Sequence, residues 1–305
     1  MNLKTYTASV VTALACMISG LSAQQPPQGL ESARNAFSVP ATVRVTHDVV
    51  YAEYGQRRLT LDVYLPPQSG QRGPVPGIVV VRGGGWRSGD KEAFGFIAGQ
   101  LAKEGFVAAS IEYRTSAEAK FPAAVQDVKA AVRWIRAHAA EYGVDPSAIG
   151  ALGGSAGAHL VALIGTSAGV KDLEGTGGSS GTSSQVQAVV AMACVCNLER
   201  KDAAVTDFIG APLEAHADAI KAGSPITHVT SRSAPLLLLH SQTDPVVPFG
   251  QSVEIEGLYR RAGALVSLKS IEAPNTHAFW NETRYFPEVL RLAVDFFRAN
   301  LVRPR

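Results

Sequence analysis

A serine hydroxyl attacks a carbonyl only when a base takes its proton. An imidazole serves as that base when a carboxylate fixes its tautomer and steadies its charged form. Ser155, His277 and Asp244 stand in settings that suit those three duties. Ser155 lies in Ala148-Ile149-Gly150-Ala151-Leu152-Gly153-Gly154-Ser155-Ala156-Gly157-Ala158-His159-Leu160, an apolar strand-like run that turns at the serine and continues as a small-residue helix. Gly153 and Gly157 suit a turn so tight that the hydroxyl is held out at the edge of a sheet. The G-x-S-x-G spacing alone does not choose, because it recurs around Ser167 and Ser179. Ser167 follows a helical stretch, and Ser179 belongs to a Gly/Ser tract (175–184) that reads as flexible loop. Context therefore selects Ser155.

The base must come from seven histidines. His47 and His138 precede the serine, and His138 sits late in an amphipathic helix, where it reads as solvated. His159 is one helical turn beyond Ser155 and tied to the same helix, while His216 and His228 fall in an irregular insertion. His240 abuts an apolar strand four residues before Asp244. Asp244 sits in the loop just past that strand, and His277 in the loop Ala273-Pro274-Asn275-Thr276-His277-Ala278-Phe279 between the last strand and the last helix. Serine, then acid, then histidine is one of the chain orders in which a triad is assembled. The oxyanion of a tetrahedral intermediate also needs donors. Gly84 and Gly85 follow a buried strand directly, and with the amide of Ala156 they are the candidate oxyanion hole; one such donor is typically worth about a hundred- to a thousand-fold in rate. A phosphate loop is excluded, since neither G-x-G-x-x-G nor Gly-Lys-Ser/Thr follows. Trp86, Phe249, Phe279 and Trp280 flank these motifs, and Trp86 and Phe279 are the candidate substrate-binding residues.

The elements that would position these groups alternate. Strands are expected at Val43–Tyr54, Arg57–Leu65, Gly77–Val81, Phe106–Tyr113, Ala148–Gly153, Val186–Cys196, Pro235–Leu239 and Leu265–Ile271. Helices are expected at Phe94–Glu104, Phe121–Tyr142, Ser252–Ala262 and Pro287–Leu301. This rhythm predicts an α/β fold: a mostly parallel central sheet with helices on both faces, forming one domain over 43–305. Residues 197–230 break the rhythm and read as a small cap insertion at the carboxyl edge of the sheet.

With 305 residues, 46% hydrophobic, 18% charged and a net charge of +2, the chain offers no basis for nucleic-acid binding. Residues 1–23 read as a signal peptide: Lys4, an apolar stretch from Ala8 to Leu21, then Leu21-Ser22-Ala23 before a polar segment. A lipidated form at Cys16 fits less well, because the residues before it are unsuited. A secreted or periplasmic protein is expected, with no integral membrane segment in the mature chain, and 24–42 as a poorly ordered leader. Cys194 and Cys196 lie two apart on what reads as a buried strand. Both would point to one face, a spacing poor for a disulfide and better suited to core packing. No metal ligand set is evident.

At these residues the chain resembles the feruloyl-esterase-like group of α/β-hydrolases, related to hormone-sensitive-lipase-type carboxylesterases and kynurenine formamidases. Val80-Val81-Arg82-Gly83-Gly84-Gly85-Trp86 with Gly89-Asp90-Lys91 is similar to that group's H-G-G-G-W segment. The likeness extends to Leu61-Asp62-Val63-Tyr64-Leu65-Pro66, Tyr113-Arg114, Phe121-Pro122-Ala123-Ala124 with Asp127 and Trp134, Ser224-Pro225, and the segments holding Asp244 and His277. It implies the α/β-hydrolase fold and cofactor-free hydrolysis of a small-molecule or polysaccharide-linked carboxylic ester, acetyl or feruloyl. Two other activities share the triad order or the resemblance: a peptidase like the prolyl oligopeptidase catalytic domain, and a formamidase. A binding module that keeps the fold without catalysis is the remaining alternative. Two positions depart from the pattern. Ser241 stands where glycine is common. Arg82 stands where the group has a histidine, and it is expected either to brace the loop or to favour an anionic substrate.

Overall fold

A computed structural model describes residues 32–67, 73–200, 202–210 and 213–302. The signal-peptide reading of residues 1–23 lies outside these described residues. Eight strands form one sheet in the order β1-β2-β4-β3-β5-β6-β7-β8. They are β1 (Arg44–Tyr54), β2 (Arg57–Leu65), β3 (Val75–Val81), β4 (Val107–Ile111), β5 (Val144–Gly154), β6 (Ala188–Met192), β7 (Leu236–His240) and β8 (Val266–Ser270). β1–β2 and β2–β4 pair antiparallel, and every pair from β4–β3 to β7–β8 is parallel.

The inner strands of the sheet are buried on both faces, and the two-residue period of a strand sorts their side chains between two cores. In β3, Val79 and Val81 join one core while Ile78 and Val80 join the other; in β7, Leu236 and Leu238 oppose Leu237 and Leu239 in the same way. The helices Ala123–Ala137, Ala156–Thr166 and Gly250–Ala262 supply the first core. The helices Gly95–Lys103 and Phe286–Leu301 supply the second. The amphipathic helix expected over Phe121–Tyr142 breaks at His138, whose ring stacks on Trp134 at 4.1 Å and is half-buried rather than solvated.

Buried ion pairs fix the loops at the carboxyl edge. Arg114 holds the buried Asp127 with a 2.7 Å contact, and the buried Lys91 lies 3.3 Å from the buried Asp62 and also reaches the exposed Asp48 at 2.8 Å. Removing Arg114 would leave the fully buried Asp127 uncompensated, a change that typically costs about 3–5 kcal/mol.

Three expectations are corrected. From Ser32 onward the expected leader is packed: Ala33 is fully buried, and Phe37 lies 5.0 Å from Phe286 between ring centroids. The Gly/Ser tract is irregular but anchored, with Arg133 donating to Gly177 O and Arg136 to Ser183 O. Third, Cys194 and Cys196 form a disulfide. β6 ends at Met192, and Ala193 takes φ +51°, so the cysteines do not lie on a strand. Their Cα atoms come within 5.4 Å, inside the disulfide range.

Candidate active site

β5 and the helix Ala156–Thr166 meet at Ser155, which adopts φ +55°, ψ −120°. A non-glycine residue pays of order 1–3 kcal/mol for such a backbone, so the surroundings must impose it. They do. Ser155 N–H donates to Met192 O of β6, and the loop after β3 presses on the turn from the other side. A Cβ on Gly157 would stand 2.1 Å from Val81 O, and one on Gly83 would stand 3.3 Å from Ser155 Cβ. Gly157 therefore has to be glycine, and Gly83 leaves little room for more, so that the corner and the β3 loop can lie against each other. Of the other two G-x-S-x-G serines, Ser167 is buried at a helix end and Ser179 lies in the anchored tract.

The parallel order brings the ends of β5, β7 and β8 to one edge. His277 Nε2 lies 2.8 Å from Ser155 Oγ, and His277 Nδ1 lies 2.8 Å from Asp244 Oδ2. Asp244 Oδ1 accepts from the amides of Val246 and Val247 at 2.8 and 2.9 Å. Burial alone would raise the Asp244 carboxyl. The bonds from His240, His277 and the two amides outweigh it and hold the group well below the usual carboxylate range.

Sequence reasoning set His240 aside as a rival base. In the structure it is a fully buried second imidazole on the same carboxylate: its Nε2 lies 3.3 Å from Asp244 Oδ2 and 3.0 Å from Val247 O, and its Nδ1 lies 2.8 Å from Ser252 Oγ. Its four-residue spacing from Asp244 was the available signal.

A cleft of about 300 Å³ opens beside Ser155. Gly85, Trp86 and Ala156 line it, with Val195, Ala204, Val246 and Val247 among the other walls. Ala156 opens its helix, so its N–H has no intrahelical partner. Gly84 sits one residue back, and its carbonyl accepts from the amides of Arg87 and Ser88. Phe279 does not reach the cleft. The short 3₁₀ turn Phe279–Asn281 directs its ring into the second core, fully buried against Trp280. The insertion does reach it, because the helix Ala203–Ile209 sets Ala204 above the glycine loop.

Arg82 faces away from the cleft, which corrects the anionic-substrate expectation. Its Nη1 donates to Gly83 O at 3.0 Å, Tyr113 Oη at 3.1 Å and Ser88 O, and its guanidinium lies over the Tyr113 ring at 4.1 Å. It is a brace for the glycine loop. His159, also set aside, is fully buried behind Trp86 and Phe208. Among the described residues no cluster of metal-ligating side chains occurs, and no helix is long and apolar enough to cross a membrane.

A mostly parallel sheet with helices on both faces, a strained strand-to-helix serine and a loop histidine beside it define the α/β-hydrolase fold. Known proteins agree. Esterase LipQ of Mycobacterium tuberculosis is 33% identical over 76% of this chain and 56% of its own length. The chain spans about half the length of the curated relatives it matches. A truncated carbohydrate esterase from gut microbiota superposes with a TM-score of 0.75 at 32% identity, covering 85% of this chain and 97% of that one. Esterase 2 of Thermogutta terrifontis with propionate bound gives 0.73 at 30% identity, over 89% and 99%; another structure of that enzyme is phosphorylated by paraoxon. The BD-FAE family profile matches residues 61–258. The chain belongs to the BD-FAE family of α/β-hydrolase esterases.

Proposed function

We propose that this protein is a serine carboxylic ester hydrolase in which Ser155 is the nucleophile, His277 the base and Asp244 the orienting acid. The reading rests on one observation: a single imidazole stands 2.8 Å from both the hydroxyl and the carboxylate. With Nδ1–H donated to Asp244, Nε2 is left bare to accept the Ser155 proton. Ser155 Oγ then bonds the ester carbonyl carbon, and the oxyanion is met by amides of the Gly84–Gly85 loop and Ala156. Collapse breaks the bond to the alkoxy oxygen, which leaves as an alcohol with the proton from His277. Water repeats the sequence on the acyl-enzyme and releases the acid.

Small or carbohydrate-linked acyl groups, acetyl or feruloyl, are the proposed substrates. The cleft volume supports a small acyl group, as do the propionate bound to the Thermogutta enzyme and the carbohydrate esterase among the similar structures. Secretion or export to a periplasm is part of the proposal, and a disulfide in the first core suits an oxidising compartment.

The test is hydrolysis of p-nitrophenyl acetate, acetylated xylan, methyl ferulate and a dipeptide anilide by the parent and by Ser155→Ala. Esters should be cleaved and the anilide left intact, with kcat reduced about a million-fold in the variant. Ester turnover that survived in Ser155→Ala would end the proposal, and preferential cleavage of the anilide would move it to the peptidase class.

A further inference from the structure

His159 is used by no step above, yet both its ring nitrogens are committed. Trp86 Nε1–H lies 3.2 Å from His159 Nδ1, and His159 Nε2 lies 2.7 Å from Gly223 O. An indole N–H only donates and a carbonyl only accepts, so the imidazole must be neutral with its proton on Nε2. Burial agrees with this assignment: it pulls the group down to about 4, against the bond to Gly223 that favours the charged form. Phe208 completes the enclosure, stacked on Trp86 at 4.6 Å and edge-on to His159 at 5.4 Å.

Two of the elements that meet at this ring line the cleft, through Ala156 and through Gly85 and Trp86, and the third belongs to the insertion, which reaches the cleft through Ala203 and Ala204. His159 belongs to the helix that starts beside the nucleophile, and its amide bonds Ser155 O. Trp86 ends the glycine loop and takes φ +59°, a backbone that an indole does not adopt unless its ring is held. Gly223 ends the second helix of the insertion, Ala217–Gly223.

We infer that His159 is a positioning residue for the esterase reaction: its Nδ1 fixes Trp86, and with it the glycine loop, while its Nε2–H latches the insertion over the cleft. The inference rests on the esterase reading of the same site. It assigns the residue two separable duties, one on each nitrogen. The acceptor duty acts on the loop whose amides meet the oxyanion, so it governs kcat. The donor duty acts on the insertion that walls the cleft, so it governs KM.

The two duties separate by substitution. Gln places an amide NH₂ near the Nε2 position, keeping the latch and losing the acceptor; Asn places a carbonyl near the Nδ1 position, doing the reverse. With p-nitrophenyl acetate, His159→Gln and Trp86→Phe should each lower kcat about ten-fold or more, and His159→Gln, which leaves the cleft wall intact, should keep KM within about two-fold. The double variant should be no slower than the slower single one, because both remove the same contact. His159→Asn should return kcat to within about three-fold of the parent while raising KM about five-fold. Hydrogen exchange gives a second measure that does not depend on turnover. Amides of 83–88 should exchange about ten-fold faster in His159→Gln and Trp86→Phe, and amides of 217–224 should do so in His159→Asn.

A folded His159→Gln with parental kcat and parental exchange over 83–88 would overturn the inference, and so would kcat losses that multiply in the double variant. If the parent itself cleaves no ester, the esterase reading fails, and the exchange data still decide whether His159 holds the loop.

Discussion

Replacing Asp244 by Asn keeps the shape of the site and changes one polarity, which makes its effect calculable from the contacts. The amides of Val246 and Val247 both donate to Oδ1, so that position must remain an oxygen in the variant. The new NH₂ therefore takes the place of Oδ2, facing His277 Nδ1 at 2.8 Å and His240 Nε2 at 3.3 Å. An NH₂ group cannot accept, so His277 must present a bare Nδ1 to it and carry its proton on Nε2 instead. That proton points at Ser155 Oγ, and the base has nowhere to receive the serine's proton. In a serine protease the same substitution lowers kcat about 10⁴-fold through this wrong tautomer, or about 5 kcal/mol of barrier. The same loss is expected here in p-nitrophenyl acetate turnover at neutral pH. Asp244→Ala leaves a gap that water can enter and imposes no tautomer, so it should be no slower than Asp244→Asn. A folded Asp244→Asn within about ten-fold of the parent would refute the assignment of Asp244 as the orienting acid.

Arg82→Met deletes the donor shared by Gly83 O, Ser88 O and Tyr113 Oη. Thermal melts and ester kinetics should show about 2–4 kcal/mol of lost stability and about a ten- to hundred-fold lower kcat, while Arg82→His retains activity on neutral esters. Ala204 Cβ lies 3.6 Å from where a Cβ on Gly85 would stand, so Ala204→Leu should fill the cleft. An acyl-length series should then show acetyl esters nearly unaffected and hexanoyl esters slowed about ten-fold or more. Because burial depresses His159 in the folded state to about 4, the unfolded chain binds more protons between that value and the ordinary 6.5. Its contribution is complete above pH 6.5 and lost as pH falls toward 4. Urea unfolding of the parent should therefore lose roughly 3 kcal/mol over that window that His159→Asn does not lose.

Strand and helix periodicity was legible because the core demanded it. The apolar runs at 78–81 of β3 and 236–239 of β7 are buried on both faces, with Gly83 soon after the first and Pro235 just before the second. Chain order and loop position selected Ser155, Asp244 and His277, and the structure brings these three side chains within hydrogen-bonding distance because a parallel sheet carries their loops to the same edge. Side-chain direction outside regular elements was not legible. Phe279 and Trp280 sit in a 3₁₀ turn, where no period says that both rings turn into the second core and away from the cleft. The cysteine pair was misread because Ala193 leaves the strand with a positive φ that its sequence does not announce. His159 takes its role from partners 64 and 73 residues away, Gly223 and Trp86, which no local pattern could supply.

The nucleophile itself is the most direct place to test the account. Paraoxon should phosphorylate the protein once, as Ser155 Oγ bonds phosphorus, p-nitrophenolate leaves and His277 takes the hydroxyl proton. Peptide mass mapping should place the adduct on Ser155, with none formed by Ser155→Ala. An adduct on Ser167 or Ser179, or a parent protein that stays unmodified, would contradict the assignment.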